Sequence, residues 1–182
     1  MSNTALLVID VQNSFFHCDY WVGEGFQTYV QRQTRLIALA RQHNWSIAFI
    51  LHNEAQGAFS LKSGHVQSMD FIDRKGHEPI FNKHVHNALT ESGLHEWLQE
   101  QEVDQLIISG IRTEQCCETT TRVGSDMGYK VDFVMDATHT FPMEHPISGK
   151  TVSAEAIKSH TALVLNQRFA TIRNVVDYEP TA

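Results

Sequence analysis

The chain has 182 residues, of which 42% are hydrophobic and 19% charged, with a formal net charge of −7. That size suits one α/β domain spanning residues 1–182, with one sizeable core. The acid excess excludes a general nucleic-acid surface, since no basic surplus is available to neutralise phosphates, but leaves room for a small anionic substrate held by one local cation.

Ala5–Ile9 is a short continuous apolar run ending in Asp10, the pattern of a strand buried on both faces. The four residues at the start carry no basic region, so this run reads as a strand rather than a signal peptide. Residues 26–41 place Tyr29, Val30, Gln33, Leu36, Ile37 and Ala40 at helical spacing. Ser46–Leu51 reads as a second strand. Residues 53–78 have no clean period and contain Gly57, Gly64 and Gly76, so a lid or binding loop is expected there. Glu78–Phe81 reads as a third strand running into Lys83, and Leu94–Gln101 as a helix. Gln105–Ser109 reads as a fourth strand closed by Gly110, followed by a helix over 115–127 that stops at Gly128. Lys130–Met135 is a fifth strand, 137–150 a loop, Thr151–Asn166 a helix and Ala170–Arg173 a last strand. No stretch approaches the roughly 18 apolar residues of a membrane span. The chain has three cysteines, which imply no disulfide framework and make a reducing cytoplasm the expected location.

Strands alternating with helices imply a parallel sheet covered on both faces. Ligands of such sheets bind beyond the carboxyl ends of the strands, where the strand order reverses. An acid (Asp10), an ammonium (Lys83) and a thiol (Cys116) are all expected on that edge. With the order 3-2-1-4-5-6, strands one and four are neighbours and Asp10 and Cys116 meet. Taken singly, an Asp after a strand is usually a turn residue, a Lys is usually solvated, and a Cys is usually buried filler. Their convergence is what points to catalysis.

Leu-Val-Ile-Asp-Val-Gln-Asn-Ser-Phe-Phe (7–16), Asn-Lys-His-Val-His-Asn-Ala-Leu (82–89), the segment 108–122 with its G-x-x-T-x-x-C pattern, and Val-Met-Asp-Ala-Thr (134–138) together resemble the isochorismatase-like cysteine hydrolases. The resemblance runs in register over residues 4–174. It implies a three-layer α/β/α sandwich with a six-stranded parallel sheet, and a small-molecule substrate. By motif position it makes Asp10, Lys83 and Cys116 a catalytic triad. It also implies a non-proline cis peptide between Ile111 and Arg112, and an oxyanion hole built from the backbone N–H groups of Arg112 and Cys116. Relatives commonly assemble as homodimers or homotetramers, so an oligomer is expected.

A free thiol ionises near pH 8.5. Three features would activate Cys116: the start of a helix, the charge of Lys83, and Asp10 as general base. The thiolate would attack an amide-type carbonyl and pass through a thioester. Departures from the family pattern narrow the reading. The nicotinamidase branch binds a metal through an Asp-x-His motif, whereas this chain has Leu-His-Asn-Glu (51–54). His52, His65 and His77 match no metal spacing, so neither a metal nor another cofactor is expected. Isochorismatases proper, which cleave a vinyl ether, generally lack the cysteine, which favours C–N hydrolysis here. The alternatives are a vinyl-ether hydrolase using Asp10 as acid, and a thiol redox sensor using Cys116 and Cys117. Cys117 otherwise reads as packing, and Cys18 as a loop or pocket-wall residue. Arg112 stands where relatives carry a small or apolar residue. Its guanidinium either holds a substrate carboxylate or pairs with an acid at a subunit contact. Phe15, Phe16 and Trp21 are candidates for the pocket wall, with plain core packing as the alternative reading.

Overall fold

The apolar runs form strands because each is buried on both sides. In β1 (Thr4–Ile9), Leu6 and Val8 enter one apolar cluster, while Ala5, Leu7 and Ile9 enter the other. This is the alternation of a strand held between two helical layers. The computed structural model describes residues 3–180. After β1 come a 3-10 turn (Asn13–His17), α1 (Phe26–Gln42), β2 (Ser46–His52), a 3-10 turn (Leu61–Ser63), β3 (Ile80–Lys83), α2 (Leu94–Glu100) and β4 (Gln105–Ile111). A π-turn (Thr113–Cys117) leads directly into α3 (Glu118–Asp126). Then follow β5 (Lys130–His139), the short β6 (Met143–Glu144) and β7 (Thr151–Val152), α4 (Ala154–Leu165), β8 (Thr171–Arg173) and a 3-10 turn (Val175–Tyr178).

Six strands form one parallel sheet in the order β3-β2-β1-β4-β5-β8. This is the expected 3-2-1-4-5-6 arrangement, β8 being the sixth strand of that sheet. On one face, α1 packs Tyr29, Leu36, Ile37 and Leu39 against Leu6, Val8, Phe49 and Ile107. On the other, Leu94 and Leu98 of α2 and Leu165 of α4 meet Leu7, Ile9, Ile50, Leu106 and Ile108. Each such buried leucine or isoleucine contributes about 1.5–3 kcal/mol. The fold is therefore a three-layer α/β/α sandwich. Among the described residues no helix is long and apolar enough to cross a membrane.

Several boundaries differ from those read in the sequence. β3 begins at Ile80 because Glu78 is a loop anchor, its buried carboxylate accepting from Arg41 Nε at 2.8 Å and from the Lys75 N–H at 2.7 Å. Lys83 is consequently the last residue of β3 rather than part of the loop after it. Gly110 does not close β4, which continues to Ile111. With φ at 127°, Gly110 lies against β1 so closely that a Cβ would sit 2.0 Å from the Ile9 carbonyl oxygen. Only glycine fits such an approach. β5 runs on to His139 through a register shift opposite Ile108 and Gly110, a bulge that extends the strand into the expected 137–150 loop. The rest of that stretch carries the β6–β7 hairpin. The last long helix begins at Ala154, where the Ser153 hydroxyl accepts from the Ala156 N–H at 3.1 Å, an N-cap. Residues 53–78 are irregular apart from one 3-10 turn. They return to the first strand's exit through Asn13 N–H to the Gln67 carbonyl (2.9 Å) and Met69 N–H to the Val11 carbonyl (3.0 Å).

Candidate active site

The register of the sheet brings the chemistry together. His52 and Lys83 are paired residues at the ends of β2 and β3. Ile9, one residue before Asp10, pairs with Ile50 of β2 and Gly110 of β4. Asp10 leaves β1 with a left-handed backbone, φ 53°, a conformation that Asp tolerates better than most non-glycine residues. Its N–H still bonds to the Ile50 carbonyl at 2.8 Å. The peptide bond between Ile111 and Arg112 is cis. The Arg112 carbonyl accepts from the N–H groups of Gln115 (3.2 Å) and Cys117 (3.3 Å). Thr113 donates its hydroxyl to Thr138 of β5 at 2.8 Å. Cys116 is thereby presented in the first turn of a helix pinned to the sheet.

Asp10, Lys83 and Cys116 meet at that edge. The Lys83 ammonium lies 2.8 Å from Asp10 Oδ2 and donates to Cys116 Sγ at 3.2 Å. Lys83 has no exposed surface, Asp10 is 1% exposed and Cys116 7%. Burial alone would push Lys83 down, but the Asp10 carboxylate and the Cys116 sulfur beside it leave it raised above the ordinary lysine value. Burial, with the Asp10 carboxylate next to it, pushes Cys116 far up, and the opposing charge of Lys83 does not offset this. The resting group is a thiol rather than a thiolate. Cys117 is also fully buried and is pushed up, first by burial and then by Cys116 and Asp10.

A fourth side chain belongs to the cluster and was not singled out as part of it from the sequence. His52 Nδ1 sits 3.1 Å from Lys83 Nζ. Burial and the neighbouring ammonium lower His52 to about 4. Its position at the end of β2, on the same edge as the other three, was the signal available. Gln12, equally unremarked, grips the His52 backbone from β1's exit. Its side chain donates to the His52 carbonyl at 3.1 Å and accepts from the His52 N–H at 2.7 Å.

The remaining candidates divide. Phe15 is buried, with its ring 5.0 Å from Phe59 and 6.0 Å from Phe141, and Phe59 stands 5.9 Å from His52. Phe15 thus joins an aromatic wall that reaches the cluster. Phe16 is half exposed and packs edge-on against Trp21 and Phe26. Trp21 fills space between Phe26 and Phe141. Arg112 is buried, and the acid it pairs with is Glu114 of its own chain, at 3.0 Å. Its guanidinium lies over the rings of Tyr20 (5.2 Å) and Phe141 (5.6 Å), a favourable cation–π arrangement. Cys18 donates weakly to the Ser14 carbonyl in the loop beside this wall.

The histidines do not converge on a metal. His65 stacks on His17 at 3.6 Å, and His77 lines a groove with Arg41 and Trp45. Among the described residues no group of three or more His, Cys, Asp or Glu side chains could hold a metal ion. The metal of the nicotinamidase branch therefore does not fit the residues present. A cavity of about 600 Å³ lies between the N-terminal ends of α1 and α4 and the end of β5, lined by Tyr29, Asp136, His139 and Lys158. It does not include Asp10, Lys83 or Cys116, which form a closed cluster.

Comparison with known proteins agrees with this fold. Residues 4–164 match the isochorismatase domain model. The isochorismatase family protein YrdC of Bacillus subtilis is 26% identical over 171 residues, covering 92% of this chain and 90% of that protein. Nicotinamidase 3 of Arabidopsis thaliana is 27% identical over 155 residues, covering 77% and 75%. The crystal structure of an isochorismatase from Pseudomonas putida KT2440 superposes with a TM-score of 0.87 at 24% identity, covering 96% of this chain and 89% of the other.

Proposed function

The chain belongs to the isochorismatase family of hydrolases, and from that premise we propose that it is a cysteine-dependent amidohydrolase that cleaves a C–N bond of a small amide, urea or carbamoyl compound. The observation that carries the reading is the contact of one buried ammonium, Lys83, with both Asp10 and Cys116. The similarity to an enzyme named for nicotinamide hydrolysis supports amide chemistry.

In this reading the resting enzyme holds a thiol, a carboxylate and an ammonium. When a carbonyl carbon reaches Cys116, Sγ attacks as Asp10 removes its proton, so the thiolate never accumulates. Lys83 keeps its charge and balances the negative charge as it passes between Asp10 and sulfur. The backbone N–H groups of Arg112 and Cys116 hold the oxyanion. Asp10 then returns the proton to the departing nitrogen, and ammonia or an amine leaves a thioester on Cys116. Water attacks the thioester, Asp10 takes the water's proton, and the acid product and the thiol are released. The aromatic wall of Phe15, Phe59 and Phe141 excludes water, which strengthens each of these electrostatic contacts. The Arg112 guanidinium, already balanced by Glu114, contributes polar binding rather than a free cation. The burial of Cys116 and Cys117 and their raised thiol values favour hydrolysis over redox sensing, which requires exposed, easily ionised thiols.

The test is ammonia release from a panel of small amides, ureas and carbamoyl compounds, with Cys116→Ala as the paired control. Turnover of at least one compound by the wild type and none by the variant is expected. Equal ammonia release from both proteins overturns the reading.

A further inference from the structure

An ammonium has three N–H donors, and that of Lys83 has three acceptors within reach: Asp10 Oδ2 at 2.8 Å, Cys116 Sγ at 3.2 Å and His52 Nδ1 at 3.1 Å. Two of these belong to the proposed chemistry and the third does not. We propose that His52 is a positioning residue for Lys83: its neutral ring, held as the Nε2–H tautomer, supplies the third acceptor that keeps the buried ammonium charged and aimed at Asp10 and Cys116. This role deepens the hydrolase reading above and rests on it for its catalytic consequence, though not for its geometry.

Each feature of His52 suits this role. An ammonium can only donate, so a ring nitrogen that contacts it must present a lone pair. Nδ1 is therefore unprotonated and the ring proton resides on Nε2, which faces Glu54 Oε1 at 3.5 Å. Burial and the Lys83 charge hold the ring in the neutral form this requires. The charged and titratable groups around it are Lys83 from β3, Asp10 from β1, His84 and His86 from the segment after β3, and Glu54. Only Asp10 and Glu54 favour the protonated ring. The ring is fixed from both sides. The Gln12 amide clamps its backbone, and the rings of Phe59 (5.9 Å) and His86 (6.2 Å) flank it. A lysine with no exposed surface has no water to satisfy an unused donor, and a buried donor without a partner costs about 1–3 kcal/mol. Without His52 the ammonium would lose that stabilisation or rotate away from sulfur. Either change leaves the thiolate, when it forms, with a weaker counter-charge.

Two measurements test this on the intact protein. The first reads the tautomer directly through long-range proton–nitrogen correlation spectra of histidine-labelled wild type at pH 7. His52 is expected to show an unprotonated Nδ1 and a protonated Nε2, and to keep that form at pH 5.5. A protonated Nδ1, or a doubly protonated ring at either pH, overturns the proposal. The second follows the pH dependence of Cys116 alkylation by iodoacetamide, with peptide mapping to separate Cys116 from Cys18 and Cys117. His52→Phe should lower the Cys116 alkylation rate about tenfold at each pH between about 7 and 8.5, equivalent to a profile moved up by about one unit, and His52→Gln, which restores an acceptor, should bring most of it back. A His52→Phe profile identical to wild type, or a His52→Gln shift as large as that of His52→Phe, overturns the proposal. Neither readout requires turnover. Failure to release ammonia from any amide would therefore count against the amidohydrolase reading and not against this one.

Discussion

The ammonium of Lys83 lies 2.8 Å from Oδ2 of Asp10, with 0% and 2% of the two side chains exposed. Such a pair balances its desolvation cost only while both members are present. Lys83→Met would leave the Asp10 carboxylate buried without a cation and is expected to lower stability by about 3–5 kcal/mol. Asp10→Asn likewise leaves the Lys83 ammonium buried without its anion and is expected to lower stability by a similar amount, about 3–5 kcal/mol, while abolishing turnover. Urea unfolding of both variants, together with ammonia release, checks both outcomes.

The two buried histidines set the acid side of stability. His52 and His139 are both held near pH 4, first by burial and then by Lys83 and Lys158 respectively. In the unfolded chain a histidine titrates near 6.5. Between these values the unfolded state binds more protons than the folded one, so stability is fully present above pH 6.5 and is lost as pH falls towards 4. Each group contributes a slope of at most about 1.4 kcal/mol per pH unit in that window. His139→Phe should remove one such slope, and chemical unfolding at pH 4.5, 5.5 and 6.5 measures it. An unchanged slope would show that His139 is not buried neutral.

The thiols set the alkaline side. Cys116 and Cys117 are pushed up chiefly by burial, whereas unfolded thiols ionise near 8.5. As pH rises past that value the unfolded state releases protons first, and stability falls. In the native protein at pH 8, iodoacetamide should modify both residues far more slowly than in urea. Rapid native alkylation of Cys116 would indicate a preformed thiolate.

Gly110 is where β4 presses on β1 beneath the cluster. A Cβ there would meet Ile9 backbone atoms at 2.0, 2.7 and 2.8 Å, with φ at 127°. Gly110→Ala is therefore expected to destabilise the fold by more than about 3 kcal/mol, read as a fall in thermal midpoint. By contrast, Gly57→Ala, with nothing within 4 Å of the added Cβ, should cost only its local backbone strain.

Much of this arrangement was legible in the chain. β1, β2, α1 and α2 declared themselves because burial on both faces writes continuous apolar runs and burial of one stripe writes helical spacing. The strand-end positions of Asp10 and Cys116 followed from that. What escaped depends on contacts between segments distant in the sequence. Glu78 has the composition of a strand start but is captured by Arg41. β5 passes its expected end because a bulge opposite Gly110 lets it keep pairing. His52 looked like one of many scattered histidines until register set it beside Lys83. The burial of Cys116 was not legible either, because sequence shows which charges are near but not how much water is removed.

Covalent catalysis by Cys116 is tested most directly by acid-quench mass spectrometry during turnover of a substrate identified in the ammonia screen. Covalent catalysis predicts a mass increase equal to the substrate's acyl group, mapped by peptide analysis to Cys116 and absent in Cys116→Ala. Turnover in Cys116→Ala at the wild-type rate, with no adduct on the wild-type enzyme, would contradict it.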